Sequence, residues 1–256
     1  MSTLSIVVIA KNEGENLAAC LATATWADEV LVIDGGSTDN TVEVAQRFTP
    51  HVFSFNDWPG YGKQRQRAQA LAHSHWILML DADEHITPES QREIQEIVRH
   101  YPMDTVFAIP RLTWCFGGYI RHGGWYPDYV SRLYPTKLTQ YDNALVHEQV
   151  IIPPNARVER LTHTLLHFSY RDMQHYLVKS AGYASLWATQ KQAQGKTTSL
   201  SNGALHAIGC LLRMYILRGG FLDGKRGLLL ALLSAHSTFV KYADLWSRSQ
   251  TKPPLH

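Results

Sequence analysis

The sequence predicts an α/β fold, a mostly parallel sheet flanked by helices, with a helical appendage at its C-terminal end. Two observations carry the sheet. Short unbroken runs rich in Val, Ile and Leu recur through the first 80 residues, as strands buried on both faces do. Stretches with helical spacing alternate with them, which is the pattern of βαβ units. A third observation carries the appendage: residues 172–194 and 201–248 place their apolar residues at helical spacing.

The elements follow in order. LSIVVIA (4–10) reads as the first buried strand, and Leu17, Cys20, Leu21 and Ala24 mark one face of a helix over 15–25. EVLVIDGG (29–36) is a second strand, after which Ser37 or Thr38 offers a cap for a helix through TDNTVEVAQRF. HVFSF (51–55) is a third strand, 63–73 a helix and WILML (76–80) a fourth strand. In TPESQREIQEIVRH, Thr87 is the expected N-cap and Pro88 the first helical residue, where its missing N–H costs nothing. From about 105 the chain turns aromatic and Gly-rich, which suggests hairpins; VHEQVII and LTHTLLHFSY read as further strands. The helix over 172–194 ends at Gly195. This organisation divides the chain into a catalytic domain, 1–170, with halves 1–104 and 105–170, and a helical region, 171–256.

A hydrophobic content of 45% supplies a sizeable core and argues against disorder. A formal charge of +2 is too weak to imply nucleic acid as a partner. Three scattered cysteines, Cys20, Cys115 and Cys210, form no disulfide framework or zinc ribbon, which fits a reducing compartment. The N-terminus lacks the basic flank of a signal peptide, and no unbroken apolar run reaches the ~18 residues of a membrane span. These features point to the cytoplasm.

In parallel sheets, ligands bind beyond the carboxyl ends of the strands. Three polar clusters fall there: Lys11-Asn12-Glu13, Asp34-Gly35-Gly36 and Asp81-Ala82-Asp83. Asp81 and Asp83, one residue apart, project to the same side and present hard oxygens suited to Mg²⁺ or Mn²⁺ beside a phosphate.

SIVVIAKNE, VLVIDGGSTDNT and WILMLDADE, in this order over the first 90 residues, resemble the family 2 glycosyltransferases, which have the Rossmann-like GT-A fold. GGWYPDYVSRLY, ALVHEQV, LLHFSYRD and GGFLDGKRG extend the likeness over almost the whole chain. They resemble a narrower group, bacterial enzymes that add β-1,4-linked glucose to heptose of the lipopolysaccharide inner core. The resemblance implies an inverting, metal-dependent transferase using a UDP-sugar, UDP-glucose first, and an anionic glycolipid acceptor.

It also implies roles for residues. Ala10, Asn12, Glu13 and Asp34 would face the uridine, and Asp81 the donor ribose and sugar. Asp83 would be the direct metal ligand, with Asp81 beside it and His167 as a further ligand. An inverting transferase needs a general base; Glu148 is the first choice and Asp128 the second. Glu148 could instead simply pair with Arg132.

GYGKQRQR (60–67) fails the P-loop pattern, since residue 57 is Asp and Gln64 follows the lysine. Lys63 and Arg67 face either the nucleotide or solvent. Trp114, Trp125, Tyr126 and Tyr129 form either a sugar-stacking surface or loop core. In the tail, Arg213, Arg218, Lys225, Arg226 and Lys241 among apolar helical faces suggest docking on the cytoplasmic face of the inner membrane; helices packed on the rest of the chain are the alternative. Other UDP-sugars or glycolipids remain as alternatives within the class. Outside it stand a sugar nucleotidyltransferase, disfavoured by the single Gly in AKNEGEN, and an inactive glycan-binding module, disfavoured by the intact carboxylates.

Overall fold

In the computed structural model, which describes residues 2–143 and 148–250, β1 (Leu4–Ala10) is buried along its whole length. Its side chains alternate between two cores, as the period of a strand requires. Leu4, Ile6, Val8 and Ala10 join a cluster with Leu17, Cys20 and Leu21 of α1 (Gly14–Ala22). Val7 joins the opposite cluster with Leu31, Ile33, Ile77 and Met79. A continuous apolar run is what burial on both faces demands.

β2 (Glu29–Asp34), α2 (Thr41–Gln46), β3 (Val52–Ser54), α3 (Tyr61–Leu71) and β4 (Trp76–Asp81) follow. β1 pairs in parallel with β2 and β4, and β2 with β3. Ala10 lies opposite Asp34, and Ile9 opposite Asp81. The three strands therefore end nearly flush, with a carboxylate on each side of β1.

After β5 (Glu84–Ile86) comes α4 (Pro88–His100), where the Thr87 hydroxyl accepts from the Ser90 N–H at 3.1 Å. Cap and first residue are those expected. The second half adds β6 (Thr105–Cys115), β7 (Gly118–Tyr119), β8 (Asp128–Pro135), β9 (Arg157–Arg160) and β10 (Leu165–His167). The sheet runs β3-β2-β1-β4-β8-β6-β10-β5. The parallel strands of the first half are those the apolar runs indicate; in the second half β8 is antiparallel to both β4 and β6, and β10 to β5, while β9 runs parallel to β6. Antiparallel neighbours need no crossover helix, so a short, aromatic, loop-rich segment builds this side.

Two expectations change. The helix after β2 is shorter than its sequence pattern, because Ser37 and Thr38 bind elsewhere: Asn12 N–H donates to Ser37 Oγ at 2.8 Å, and Thr38 N–H donates to Asn12 Oδ1 at 2.8 Å. Of the strand expected over VHEQVII, His147 and Val146 lie outside the described residues, and Val150 makes an isolated bridge to Tyr141.

The chain divides into two units. Met1–Leu112 with Asp128–His167 forms the sheet unit, and Thr113–Pro127 with Phe168–His256 the helical unit. The segment 113–127, assigned from sequence to the second half of the catalytic domain, thus groups with the C-terminal helices. That unit contains α5 (Met173–Ala193), α6 (Leu200–Leu212) and α7 (Gly224–Gln250). A π-helical turn, Arg213–Leu217, and a 3₁₀ turn, Gly220–Asp223, join α6 to α7. Gly227 is required there: a Cβ would lie 1.8 Å from the Gly220 carbonyl oxygen. Leu200–Leu217, although its apolar run is interrupted by Arg213, is long and apolar enough by length and composition to cross a membrane.

Candidate active site

The carboxyl ends of β1, β2 and β4 hold the chemistry-bearing residues of the sheet unit. Asp81, the last residue of β4, is gripped by two guanidiniums. Arg65 Nη2 lies 2.5 Å from its Oδ1, and Arg132 Nη2 bonds its Oδ2. Burial works to raise the Asp81 pKa, but Arg132, Arg65 and Arg111 outweigh it and hold the carboxyl far below the usual range.

The same arginines bridge to other acids. Arg65, from the inner face of α3, reaches Glu148 Oε1 with Nε at 2.9 Å. Arg132, on β8, reaches Glu84 Oε1 at 3.0 Å. Arg111, on β6 opposite Asp128 in the ladder, contacts Glu84 at 3.1 Å and Asp128 at 2.5 Å. Glu84 closes the turn after β4 by accepting from the Asp81 N–H at 3.0 Å. Four carboxylates and three guanidiniums thus form one cluster with an excess of one negative charge.

Asp83 adds a second. Its Oδ2 lies 3.5 Å from His167 Nε2, because β10 pairs with β5 and sets His167 opposite Glu84. Neighbouring corners of an octahedron with ~2.1 Å bonds are about 3 Å apart. One carboxylate and one imidazole at this spacing, beside a cluster of net negative charge, fit a Mg²⁺ or Mn²⁺ ion that keeps its other positions for water and phosphate. Among the described residues no group of three or more His, Cys, Asp or Glu side chains is arranged to hold one metal ion. Asp81, expected beside Asp83 on the metal, has both oxygens engaged by arginine.

The remaining expected residues lie on the strand-end loops, on α3 and in the second half of the sheet unit. Ala10 is buried at the end of β1. Asp34 is buried, and its carboxylate accepts from Gly36 N–H at 3.2 Å and Ser37 N–H at 3.1 Å, holding the loop. Asn12, at φ 56°, ties that loop to the first one. Glu13 accepts from Asn16 at 2.8 Å. Lys63 faces solvent, and Arg67 pairs with Asp57 at 2.6 Å. Asp128 and Glu148 both belong to the cluster; Asp128 is the more open, at 43% side-chain exposure against 12%.

Sequence reasoning passed over Arg65, Arg111 and Glu84. A signal for Arg65 was present: residues 63 and 67 share a helical face, and 65 points the other way. Arg132 was noted, but as a partner for Glu148. Trp58 was also missed. Its ring lies over Gly35, where a Cβ would come within 2.3 Å, and Lys11 Nζ stands 5.5 Å from the ring centroid.

The sequence profile described as "Glycosyl transferase family 2" matches residues 5–158. Over 255 residues the chain is 28% identical to an uncharacterized glycosyltransferase of Rickettsia prowazekii, covering 96% of this chain and 87% of that protein. It is 26% identical over 259 residues to the lipopolysaccharide core biosynthesis glycosyltransferase LpsC of Rhizobium meliloti, covering 97% of this chain and 94% of that one. The solved structure of S. aureus TarS 1–349 matches with a TM-score of 0.50 at 15% identity, over 97% of this chain and 92% of that chain. At that identity the likeness is one of fold.

Proposed function

The chain belongs to glycosyl transferase family 2 and has the GT-A fold, and from that premise we propose that it transfers a sugar, glucose from UDP-glucose first, onto a heptose of the lipopolysaccharide inner core with inversion. The observation that carries the chemistry is the convergence of Asp83, His167, Asp81 and two candidate bases on one rim of the sheet unit. The acceptor class is supported by the LpsC likeness over nearly the full length of both chains.

Trp58 and Lys11 offer a ring and a cation to the uridine, beside the loop that Asp34 and Asn12 hold in shape. Ala10 and Glu13, at and just after the end of β1, and Lys63, exposed on α3, are assigned to the nucleotide with them. Asp83 and His167 would hold Mg²⁺ or Mn²⁺, which when bound offsets the charge of the departing diphosphate. Asp81, fixed by Arg65 and Arg132, presents a rigid carboxylate edge to the donor ribose and sugar. Glu148 takes the proton from the acceptor hydroxyl as its oxygen attacks the anomeric carbon, and Asp128 is the second candidate. Arg65 orients Glu148 relative to Asp81 by bonding both. The reaction takes place at the cytoplasmic face of the inner membrane.

The test is to incubate the full chain with UDP-glucose and a heptose-terminated core acceptor, and to follow UDP release and product mass. A gain of one hexose, dependent on acceptor, is expected. Release of pyrophosphate from a sugar phosphate and UTP would mean a nucleotidyltransferase instead. No turnover with any UDP-sugar or core acceptor would remove the proposal.

A further inference from the structure

The helical unit exposes apolar side chains that folding would ordinarily bury. On α6 and the turn that continues it, Leu205, Ile208, Leu212 and Ile216 recur at intervals of three, four and four residues. That spacing draws one stripe along a helix. The stripe lies opposite Gly203 and Met214, which are buried within the unit. Leu205 is 69% exposed and Ile216 55%. At the turn itself Leu217 reaches 80%, and Phe221 and Leu222 follow at 51% and 62%. Only 11% of the segment Leu200–Leu217 is buried. A contiguous exposed run of this kind marks an interaction surface.

The charges around it are of one sign. Between residues 200 and 240 the Lys, Arg, Asp and Glu side chains are Arg213, Arg218, Lys225, Arg226 and Asp223. The four cations are exposed. The single acid is spent inward: Asp223 Oδ1 lies 2.8 Å from His122 Nδ1, and Oδ2 accepts from the N–H groups of Arg121 and His122 at 3.1 and 2.8 Å. A symmetric contact between two copies would bring these cations against one another with no exposed acid from 200 to 240 to offset them.

We infer that this face enters an anionic lipid bilayer as an interfacial hairpin, with Leu205, Ile208, Leu212, Ile216, Leu217 and Phe221 among the acyl chains and Arg213, Arg218 and Lys225 at the phosphates. Spanning is excluded by α7. Its apolar stretch, Gly227–Ala235, is nine residues between Arg226 and His236. At ~1.5 Å per residue that is about 14 Å, half the ~30 Å hydrocarbon core. A hairpin whose return arm reaches half-way lies in one leaflet, and long basic side chains extend from it to the headgroups. This deepens the glycolipid-acceptor proposal, but it is tested without donor or acceptor, so each stands or falls alone.

The experiment is flotation of the full chain with phosphatidylcholine vesicles, with and without phosphatidylglycerol, at low salt and at about 1 M salt, where the Debye length is about 3 Å. Binding is expected to favour the anionic vesicles and to persist in part at high salt, because the apolar contribution is unscreened. Leu212→Ser with Ile216→Ser and Leu217→Ser should lower the high-salt partition at least about tenfold. Arg213→Gln with Arg218→Gln and Lys225→Gln should remove the anionic preference and spare the salt-resistant part. As a readout that leaves the stripe intact, Leu217→Trp should add emission that shifts to the blue with vesicles and is quenched by brominated acyl chains. Binding abolished by salt alone, with no quenching, would mean surface adsorption and overturn the insertion. No flotation, with a dimer that the triple Ser variant makes monomeric, would assign the face to a second copy and overturn it also.

Discussion

Arg65 and Arg132 in the sheet unit are almost wholly enclosed, with side chains 1% and 4% exposed, whereas Leu217 in the helical unit stands 80% exposed. Each unit departs from the rule that charges lie outside and apolar groups inside, and they depart in opposite directions. Enclosing a guanidinium costs several kcal/mol before its partners offset it. Leaving a leucine in water forgoes about 1.5–3 kcal/mol. Neither choice is what folding alone selects, and sequences break such rules where function is placed. In the sheet unit the departures gather at the strand ends, where three arginines hold the carboxylates in place. In the helical unit they gather on one stripe with cations around it.

The comparison breaks most sharply at Asp83, whose carboxylate faces His167 beside the arginine cluster. Asp83→Ala should leave the unfolding transition near that of the parent and lower transfer roughly a thousandfold or more, since metal-type charge stabilisation is worth several kcal/mol. Turnover with and without chelator checks it. Full activity of the parent in chelator would show that the arginines alone serve the diphosphate.

Next is the base. Glu148→Gln keeps a group able to bond Arg65 but removes the site that accepts a proton. The expected loss in kcat is ~10²–10⁴, with donor binding nearly unchanged. If Asp128→Asn shows that loss and Glu148→Gln does not, the more open carboxylate is the base and Glu148 is one more structural partner of Arg65.

Arg132 tests the structural side of the cluster. Arg132→Met leaves Asp81 and Glu84 with one guanidinium contact fewer, in a site closed to water on the Glu84 side. Removing one partner of such an arrangement costs about 3–5 kcal/mol. Denaturant unfolding should register it, and Arg132→Lys should recover only part, because an ammonium cannot reproduce the fork of a guanidinium. A loss below about 1 kcal/mol would mean that Arg111 already carries the neutralisation.

Legibility in the sequence follows the range of the interactions. β1, β2 and β4 are readable because burial on both faces leaves uninterrupted Val, Ile and Leu, and α4 because its cap and first residue are adjacent in the chain. The motifs containing Asp34, Asp81 and Asp83 are readable because strand ends are where a parallel sheet binds ligands. The arginine cluster is not, since it joins residues 16, 51 and 83 positions apart, and a basic residue looks alike in sequence whether it meets water or an acid. Ser37 misleads in the same way: as a local signal it suggests a helix cap, and the fold bonds its hydroxyl to the Asn12 N–H. The exposed stripe on α6 is half legible. Its helical spacing is visible, but a stripe that faces a core and one that faces outward have the same pattern.

That last ambiguity supplies the smallest predicted effect and the most direct measure of the contrast between the units. Leu78 is fully buried in β4, and Leu78→Ala should destabilise by about 2–5 kcal/mol, transfer loss plus cavity. Leu217 and Leu212 lie at the turn and on the stripe with most or about half of their surface in water. Leu217→Ser and Leu212→Ser should therefore shift unfolding by no more than about 0.5 kcal/mol in the absence of lipid, as surface substitutions do. If the stripe were instead the inner face of a docked helix in the isolated chain, the Ser variants would approach the cost of Leu78→Ala. Near-neutral stability without lipid, together with a large loss of vesicle binding, would separate the two roles a leucine has in this protein: in the sheet unit it holds the fold together, and in the helical unit it is held in reserve for a surface the fold does not contain.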